Sequence, residues 1–233
     1  MSSLNRQLSI INSQISIRPR IKICCICSVE ESRIAIRAGA DALGLVSQMP
    51  SGPGIISEEL ISEIVKTIPP SIGSFLLTSL QDVDAIIEQQ KRTRVNTIQL
   101  CDRLAHSGHA VLKQALPRIS IVQVIHVTGE ESFDEAADVA PHVNAILLDS
   151  GNQNLKIKEL GGTGRKHNWE ISKKIVEEVR VPIFLAGGLR PDNVAEAIAT
   201  VQPFGLDVCS GVRTNGKLDE EKLLQFVSHA RGG

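Results

Sequence analysis

Three glycine-containing turns in the second half of the chain are its clearest sign of chemistry. They lie at residues 161–164, 185–189 and 207–212, and each follows an apolar run. Glycine lets the backbone adopt left-handed dihedral angles and approach a ligand closely, and the N–H groups of such turns suit an anion. The last two turns precede helical patterns, whose N-terminal N–H groups favour phosphate. The predicted phosphate-binding residues are Gly162, Gly164, Gly187, Gly188, Ser210 and Gly211.

Five cysteines form a second group of reactive side chains. Cys24, Cys25, Cys27, Cys101 and Cys209 fall at or just beyond the carboxyl ends of predicted strands. If these ends share one mouth, three or more thiolates could bind zinc or another soft ion. The chain has no paired Cys-x-x-Cys motifs, and an odd number of cysteines fits reduced thiols better than a disulfide framework. We therefore predict no metal and keep the thiolate site as an alternative.

Composition narrows the classes of partner. The chain has 25 basic and 26 acidic residues and a net charge of −1, so it carries no electrostatic footprint for nucleic acid or an anionic membrane. Aromatic residues make up only 3% of the chain, which leaves no stacking platform for bases. No stretch approaches the roughly 20 apolar residues that span a bilayer. We expect a cytoplasmic protein that binds neither nucleic acid nor membrane.

The elements that must position these side chains follow a regular alternation. Short apolar runs rich in β-branched residues alternate with amphipathic helical patterns. Strands are predicted at 21–26, 42–46, 72–77, 95–100, 119–127, 145–148, 181–186 and 204–208. Helices are predicted near 30–38, 58–67, 82–91, 108–116, 132–139, 169–179, 191–200 and 219–230. The chain thus contains eight consecutive βα units.

Eight such units predict an α/β fold with a single (β/α)8 TIM barrel. The barrel is expected over residues 20–233, after a short N-terminal extension over residues 1–19 that could alternatively be an amphipathic targeting segment. An open doubly wound sheet ranks second, because no Gly-x-Gly-x-x-Gly motif follows the first strand. In barrels, phosphate commonly binds between the loops after strands seven and eight. Those loops hold Gly187, Gly188, Ser210 and Gly211.

An ordered set of motifs connects the chain to a known family. The set comprises Lys-Ile-Cys at 22–24, Gly-Ala-Asp-Ala-Leu-Gly at 39–44, Gln-Leu at 99–100, Leu-Leu-Asp at 147–149, Gly-Gly-Thr-Gly at 161–164 with Trp169, Leu-Ala-Gly-Gly-Leu at 185–189 and Ser-Gly-Val at 210–212. Any one of these motifs is weak, since similar turns occur in many phosphate-binding barrels. Taken in order from residue 20 to the C-terminus, they resemble the phosphoribosylanthranilate isomerase family.

The resemblance implies an Amadori rearrangement in tryptophan biosynthesis. N-(5'-phosphoribosyl)anthranilate would be converted to 1-(2-carboxyphenylamino)-1-deoxyribulose 5-phosphate, with no metal and no cofactor. An acid protonates the furanose ring oxygen and opens the ring to an iminium ion, and a base removes the proton from C2'. By the resemblance, Cys24 is the base and Asp149 is the acid. The implied partner is a phosphorylated small molecule, bound by a monomer or homodimer.

The sequence departs from the family at the substrate's aromatic end. The family usually carries an arginine after strand two that binds the anthranilate carboxylate, whereas Gly54 ends the corresponding stretch here, and Cys101 replaces a histidine after strand four. Three explanations stay open: another cation supplies the charge, the substrate lacks the carboxylate, or the protein is a diverged paralogue that binds a different phosphorylated metabolite. The candidate substrate-binding residues are Lys22, Gln99, Cys101, Arg165 and Arg213, with Lys166 a further cation.

Overall fold

A closed barrel of eight parallel strands forms the centre of the protein. The computed structural model describes residues 18–162 and 164–232, so the predicted extension lies almost entirely outside the described residues. The strands pair in sequence order, and β8 closes on β1. They are β1 (Arg20–Ile23), β2 (Ala42–Val46), β3 (Gly73–Thr78), β4 (Thr97–Leu100), β5 (Ser120–His126), β6 (Ala145–Asp149), β7 (Ile183–Leu185) and β8 (Gly205–Val208). The predicted (β/α)8 barrel is confirmed.

Eight α-helices among the described residues cover the barrel. Side-chain oxygens cap several of their N-termini: Ser28 accepts from Glu31 N at 3.0 Å and Asp82 from Ala85 N at 2.8 Å. Such caps satisfy backbone N–H groups that have no partner inside the helix. The helices are α1 (Val29–Ala38), α2 (Glu58–Val65), α3 (Val83–Thr93), α4 (His106–Ala115), α5 (Glu131–Val139), α6 (Trp169–Glu178), α7 (Val194–Val201) and α8 (Glu220–Ala230). No described helix is long and apolar enough to cross a membrane.

The strands are buried on both faces, which explains their continuously apolar sequences. Along β6, Ile146 and Leu148 belong to the apolar cluster packed against the helices, whereas Ala145 and Leu147 belong to a second cluster inside the barrel. Successive side chains of a strand point to opposite faces. Asp149, two residues after Leu147, therefore follows the inner face to the carboxyl end of the strand.

The same alternation places polar side chains inside the barrel. Ile21 and Ile23 in β1, like Leu206 and Val208 in β8, pack toward the helices. Lys22 and Asp207, which lie between them, therefore face the interior, as does Gln99 between Ile98 and Leu100 of β4; all three are buried there. A buried charge must be paired. The interior of the barrel therefore holds polar side chains as well as an apolar core.

The structure differs from the sequence-based expectation mainly between the regular elements. β1 ends at Ile23 rather than at residue 26, because Cys25 adopts a left-handed backbone conformation with φ of 62°. After β8 the chain forms a short 3-10 helix (Ser210–Val212) and then a hairpin of β9 (Arg213–Thr214) and β10 (Lys217–Leu218). The sequence predicted neither. Both lie next to the expected phosphate turn.

Candidate active site

One cavity opens at the carboxyl ends of the barrel strands. It is open to solvent at its mouth. Its walls come from the loops after β1, β2, β6, β7 and β8, the set expected of a barrel active site. The predicted residues that line it are Cys24, Gln99, Asp149, Gly162, Gly164, Gly187, Gly188 and Ser210. The structure thus brings together the predicted catalytic pair and most of the predicted phosphate-binding residues.

The three glycine turns pack directly against one another. A Cβ at Gly164 would lie 3.4 Å from Ser210 Oγ, and one at Gly188 would lie 2.8 Å from the backbone joining Arg165 to Lys166. Gly211 does not line the cavity; its Cα rests on the Leu189 carbonyl so closely that a side chain there would collide with the oxygen. Backbone contact between the loops therefore sets this wall, which we call the glycine wall.

Polar side chains hold two turns of the glycine wall in place. Asn193, just before α7, donates from Nδ2 to the Gly188 carbonyl at 2.9 Å and accepts from Arg190 N at 2.8 Å. His167 lies beneath Gly187, where its Nδ1 is 3.0 Å from the position of a Cβ, and its Nε2 lies 2.7 Å from Ser172 Oγ. Burial lowers the pKa of His167 to about 4, although the Asp149 charge opposes this shift. The imidazole is therefore neutral at neutral pH.

Cys24 and Asp149 reach the cavity from different strands. Cys24 directly follows β1, and its N–H donates to the Val208 carbonyl at 2.8 Å, which fixes its backbone to β8. Asp149 ends β6, and its Oδ1 accepts from Ser150 N at 2.7 Å. Both side chains are largely buried yet line the cavity. A thiol and a carboxyl group are thus available to the same bound molecule.

A buried ion pair lies beneath Cys24. Lys22 Nζ is 2.9 Å from Asp207 Oδ1, and the lysine side chain is completely buried. A Cβ at Gly44 would lie 2.8 Å from Cys24 Sγ and 3.0 Å from Lys22 Nζ, so the thiol and the ammonium are neighbours. Burial lowers the pKa of Lys22, but Asp207 and Cys24 outweigh it and hold the pKa above its ordinary value. Lys22 is therefore a permanent cation beside the thiol.

The other candidate substrate-binding residues divide into those near the cavity and those turned away. Cys101 is completely buried, and Gln99 Nε2 lies 3.8 Å from its sulfur. Arg165 forms an ion pair with Glu159 and is largely exposed. Lys166 Nζ lies 3.3 Å from the centre of the Trp169 ring. In the described part of the chain, no lysine or arginine lines the cavity.

Arg213 is held by contacts within the protein. Its guanidinium donates to both carboxylate oxygens of Glu31 at 3.0 Å, and to the carbonyls of Cys25 at 2.5 Å and Gly216 at 3.0 Å. The side chain is only 7% exposed. Arg213 therefore joins the end of β1 to α1 and the hairpin.

The opposite wall of the cavity is apolar, with two residues from strands β2 and β3 and two from the loops at residues 47–57 and 150–162. It consists of Val46, Met49, Leu77 and Leu160, and we call it the apolar wall. Ser51 Oγ joins the loops by donating to the Lys158 carbonyl at 2.6 Å, and the Lys158 ammonium pairs with Asp102 in the loop after β4. The sequence did not predict this wall, because neither loop has a regular spacing of apolar residues.

Gly54 occupies the position of the expected arginine for a steric reason. Its φ is +79°, and a Cβ there would lie 2.5 Å from the Cβ of Cys25. A left-handed backbone and a close approach both favour glycine. The loop after β2 therefore passes directly over Cys25 at the point where the family would present a guanidinium.

The thiols converge only in part. Cys24, Cys25 and Cys209 all line the cavity, whereas Cys101 is buried below it and Cys27 lies at the outer end near Glu31. The described residues contain no group of three or more histidine, cysteine or carboxylate side chains arranged to hold a metal ion. Asp207 and His167 were missed as site residues; inward alternation along β8 would have indicated Asp207, but nothing in the sequence indicated His167.

Comparison with known proteins agrees with this arrangement. The sequence model of the family described as N-(5'phosphoribosyl)anthranilate (PRA) isomerase matches residues 21–229. N-(5'-phosphoribosyl)anthranilate isomerase 2 of Methanosarcina mazei is 38% identical over 214 residues, covering 91% of this chain and 94% of the relative. The corresponding protein of Haloferax volcanii is 34% identical, covering 91% of this chain and 93% of that protein.

Solved structures give the same result. The phosphoribosyl anthranilate isomerase of Thermotoga maritima superimposes with a TM-score of 0.79 at 28% identity, covering 92% of this chain and 99% of that chain. A complex of such an enzyme with reduced 1-(o-carboxyphenylamino)-1-deoxyribulose 5-phosphate has a TM-score of 0.77 at 26% identity, covering 92% and 99%. The chain belongs to the N-(5'-phosphoribosyl)anthranilate isomerase family.

Proposed function

We propose that this chain isomerises N-(5'-phosphoribosyl)anthranilate to 1-(2-carboxyphenylamino)-1-deoxyribulose 5-phosphate in tryptophan biosynthesis, with Cys24 as general base and Asp149 as general acid. One observation carries the proposal: both side chains line a single cavity between the glycine wall and the apolar wall. The phosphorylated substrate, a monomeric or homodimeric state and a cytoplasmic location are part of the same proposal.

The two walls orient the substrate. Its phosphate would bind at the glycine wall, where the turns after β6, β7 and β8 meet, and its aromatic ring would pack on Met49, Leu77 and Leu160. The ribose between them then faces both catalytic groups. This placement lets one binding mode serve both proton transfers.

The two proposed catalytic residues carry out the first two proton transfers. Asp149 gives its proton to the furanose ring oxygen, and the bond from that oxygen to C1' breaks, which leaves an iminium ion. The Cys24 thiolate then takes the proton from C2', and the electron pair of that bond neutralises the iminium to give an enolamine. Tautomerisation of the enolamine yields the ketose. No electrons are gained or lost overall, so the reaction requires no redox partner.

The pair beneath the site supports this assignment of the base. Lys22 is a buried cation next to Cys24. Asp207 holds the ammonium at 2.9 Å, and the Phe75 ring lies 5.3 Å from Nζ. The negative charge that the base must carry thus has a fixed, buried counter-charge.

Rescue of a tryptophan auxotroph that lacks this isomerase, followed by kinetics on the purified protein, tests the proposal. Cys24→Ser and Asp149→Asn should each lower kcat by about 10²–10⁴-fold, the usual contribution of a general acid or base. Cys27→Ser and Asp192→Asn are matched controls, because both residues lie outside the cavity. Failure of the folded wild-type protein to isomerise this substrate would refute the proposal; full activity of either catalytic variant would refute that residue's role.

A diverged paralogue acting on a phosphorylated aminosugar without a ring carboxylate is the second candidate. It is favoured by one observation: the described cavity lining contains no lysine or arginine to pair with that carboxylate. A buried, unpaired carboxylate would weaken binding by about 2–5 kcal/mol. Comparing kcat/KM for phosphoribosylanthranilate and phosphoribosylaniline separates the two. Preference for the aniline supports the paralogue, and preference for the anthranilate supports the isomerase.

A further inference from the structure

Two cysteines that the proposed mechanism does not use lie in contact at the mouth of the barrel. The Cys209 thiol points at Cys25, with 2.8 Å between the two sulfurs. Cys25 follows the end of β1 and Cys209 follows the end of β8, two strands that pair over their whole length. Both cysteines are free thiols that line the cavity, and Cys209 is partly exposed. An oxidant that enters the cavity therefore meets the pair.

We propose that Cys25 and Cys209 form an oxidant-reactive dithiol, which a hydroperoxide converts to a disulfide before it oxidises the other cysteines. A disulfide bond is about 2.05 Å long, so the sulfurs need to approach by only about 0.8 Å.

The reaction proceeds in two balanced steps. The Cys209 thiolate attacks one oxygen of the hydroperoxide and becomes a sulfenic acid, while the O–O bond breaks and the other oxygen leaves as water or an alcohol after protonation. The Cys25 thiol then displaces hydroxide from the sulfenic sulfur, which forms the disulfide and, with the thiol proton, releases water. Two thiols are oxidised and one hydroperoxide is reduced.

The surroundings of the two sulfurs assign these roles. The hydrogen bond between the two thiols lowers the pKa of Cys209, and the nearby Arg213 guanidinium adds to this effect against the opposing influence of burial. The same contact raises the pKa of Cys25, and a hydrogen bond with Cys24 and the burial of Cys25 add to that shift. Since the thiolate is the nucleophile, Cys209 attacks first and Cys25 resolves the sulfenic acid.

Two of the remaining thiols are poorer targets. Cys101 is completely buried, and burial raises its pKa. Burial and the neighbouring Glu31 raise the pKa of Cys27. Cys24 lines the cavity beside Lys22 and also contacts Cys25. The Cys25 and Cys209 pair combines a thiol of lowered pKa with a second thiol whose sulfur lies 2.8 Å away.

The test treats the native, reduced full-length chain with limiting hydrogen peroxide, blocks the remaining thiols and maps non-reduced peptides by mass spectrometry. We expect loss of two of the five thiols, a cross-linked peptide joining Cys25 to Cys209, and its disappearance after dithiothreitol. Cys27→Ser should give the same cross-link at the same rate. Cys209→Ser should give none, and peroxide consumption by its thiols should slow at least several-fold.

Other results would overturn the proposal. A cross-link that joins Cys24 to Cys25, oxidation of Cys24 to sulfinic acid before any cross-link forms, or an unchanged rate of peroxide consumption in Cys209→Ser would each contradict it. Because these readouts follow thiols and not turnover, the result is independent of the substrate and of the roles assigned to Cys24 and Asp149.

Discussion

The two walls of the cavity are built in different ways. Backbone-to-backbone contact sets the glycine wall, where Gly188 packs on the loop after β6 and Gly211 packs on Leu189. Side chains set the apolar wall, where the Ser51 and Lys158 contacts join two long loops. Phosphate is a small, constant group that suits a rigid cradle of N–H groups. The rest of the substrate differs between enzymes that bind phosphorylated molecules, and longer loops can differ in the same way.

This difference in construction predicts a difference in sensitivity. Backbone contacts leave no free space, so small changes at the glycine wall should affect both stability and binding. The contacts between the loops of the apolar wall are few and partly exposed, so changes there should have smaller effects. Matched substitutions in the two walls therefore test whether the walls differ in their effects on stability and binding or only in their geometry.

Acidification should destabilise the glycine wall most strongly, through His167. Its pKa falls from 6.5 to about 4 on folding. Between these pH values the unfolded chain binds a proton that the folded chain does not, so stability decreases as the pH falls from about 6.5 to about 4. At about 1.4 kcal/mol per pKa unit, the loss approaches about 3 kcal/mol. We expect His167→Gln to remove this part of the pH dependence.

Urea unfolding at several pH values measures the effect. Ser51→Ala at the apolar wall is the matched control and should keep the wild-type slope of unfolding free energy against pH between about 6.5 and 4. If His167→Gln shows the same slope as wild type, the imidazole beneath Gly187 is not a buried neutral group. The glycine wall would then not differ from the apolar wall in this contribution to the unfolding free energy.

Gly211→Ala tests the backbone contact itself. The added Cβ would collide with the Leu189 carbonyl, so the loops after β7 and β8 must separate. Overpacking of this kind typically costs about 1–3 kcal/mol. Because Ser210 next to it lines the cavity, we expect KM for the phosphorylated substrate to rise about tenfold, which corresponds to about 1.4 kcal/mol.

Gly216→Ala is the control for that experiment. Gly216 has a φ of +78° with no atom within 4 Å of an added Cβ, so alanine there meets backbone strain but no collision. It should lower the unfolding free energy by about 1–2 kcal/mol and leave KM unchanged. Equal KM values for Gly211→Ala and Gly216→Ala would show that contact with Leu189 does not shape the phosphate end.

The glycine wall could be predicted from the sequence and the apolar wall could not, for a physical reason. A backbone that must pass another backbone leaves a glycine in the sequence, as at Gly188 and Gly211, and the βα alternation locates these glycines on particular loops. The pairing of Lys22 with Asp207 was also accessible in principle, since strand alternation points both inward. In strands and helices, therefore, the spacing of residues in the sequence predicts where their side chains lie.

Other features depend on contacts that have no local pattern. Arg213 looked like a free loop cation, and only the fold brings Glu31 and the carbonyl of Cys25 within its reach. Met49 and Leu160 lie in the loops after β2 and β6, which have no regular spacing of apolar residues. Both side chains line the cavity only because these loops cross its mouth. A single sequence specifies such contacts only through the whole fold.

Ser51→Ala should give the smallest effect of the series. It removes the hydrogen bond from Ser51 Oγ to the Lys158 carbonyl, 2.6 Å long and partly exposed, and such a bond contributes about 0.5–1.5 kcal/mol. The Lys158 pair with Asp102 still holds the loop. We therefore expect at most a severalfold rise in KM with kcat unchanged, together with a fall in unfolding free energy of about 1 kcal/mol.

Thr67→Ala provides the comparison, because it removes one side-chain bond to a carbonyl, that of Ile64 at 2.8 Å, at the end of α2 and away from the cavity. It should lower stability similarly and leave KM unchanged. A loss of activity in Ser51→Ala as large as that in Gly211→Ala would contradict the distinction between the walls, because one partly exposed hydrogen bond would then matter as much as a backbone collision. The loop at 47–57 would in that case be as rigidly specified as the glycine wall.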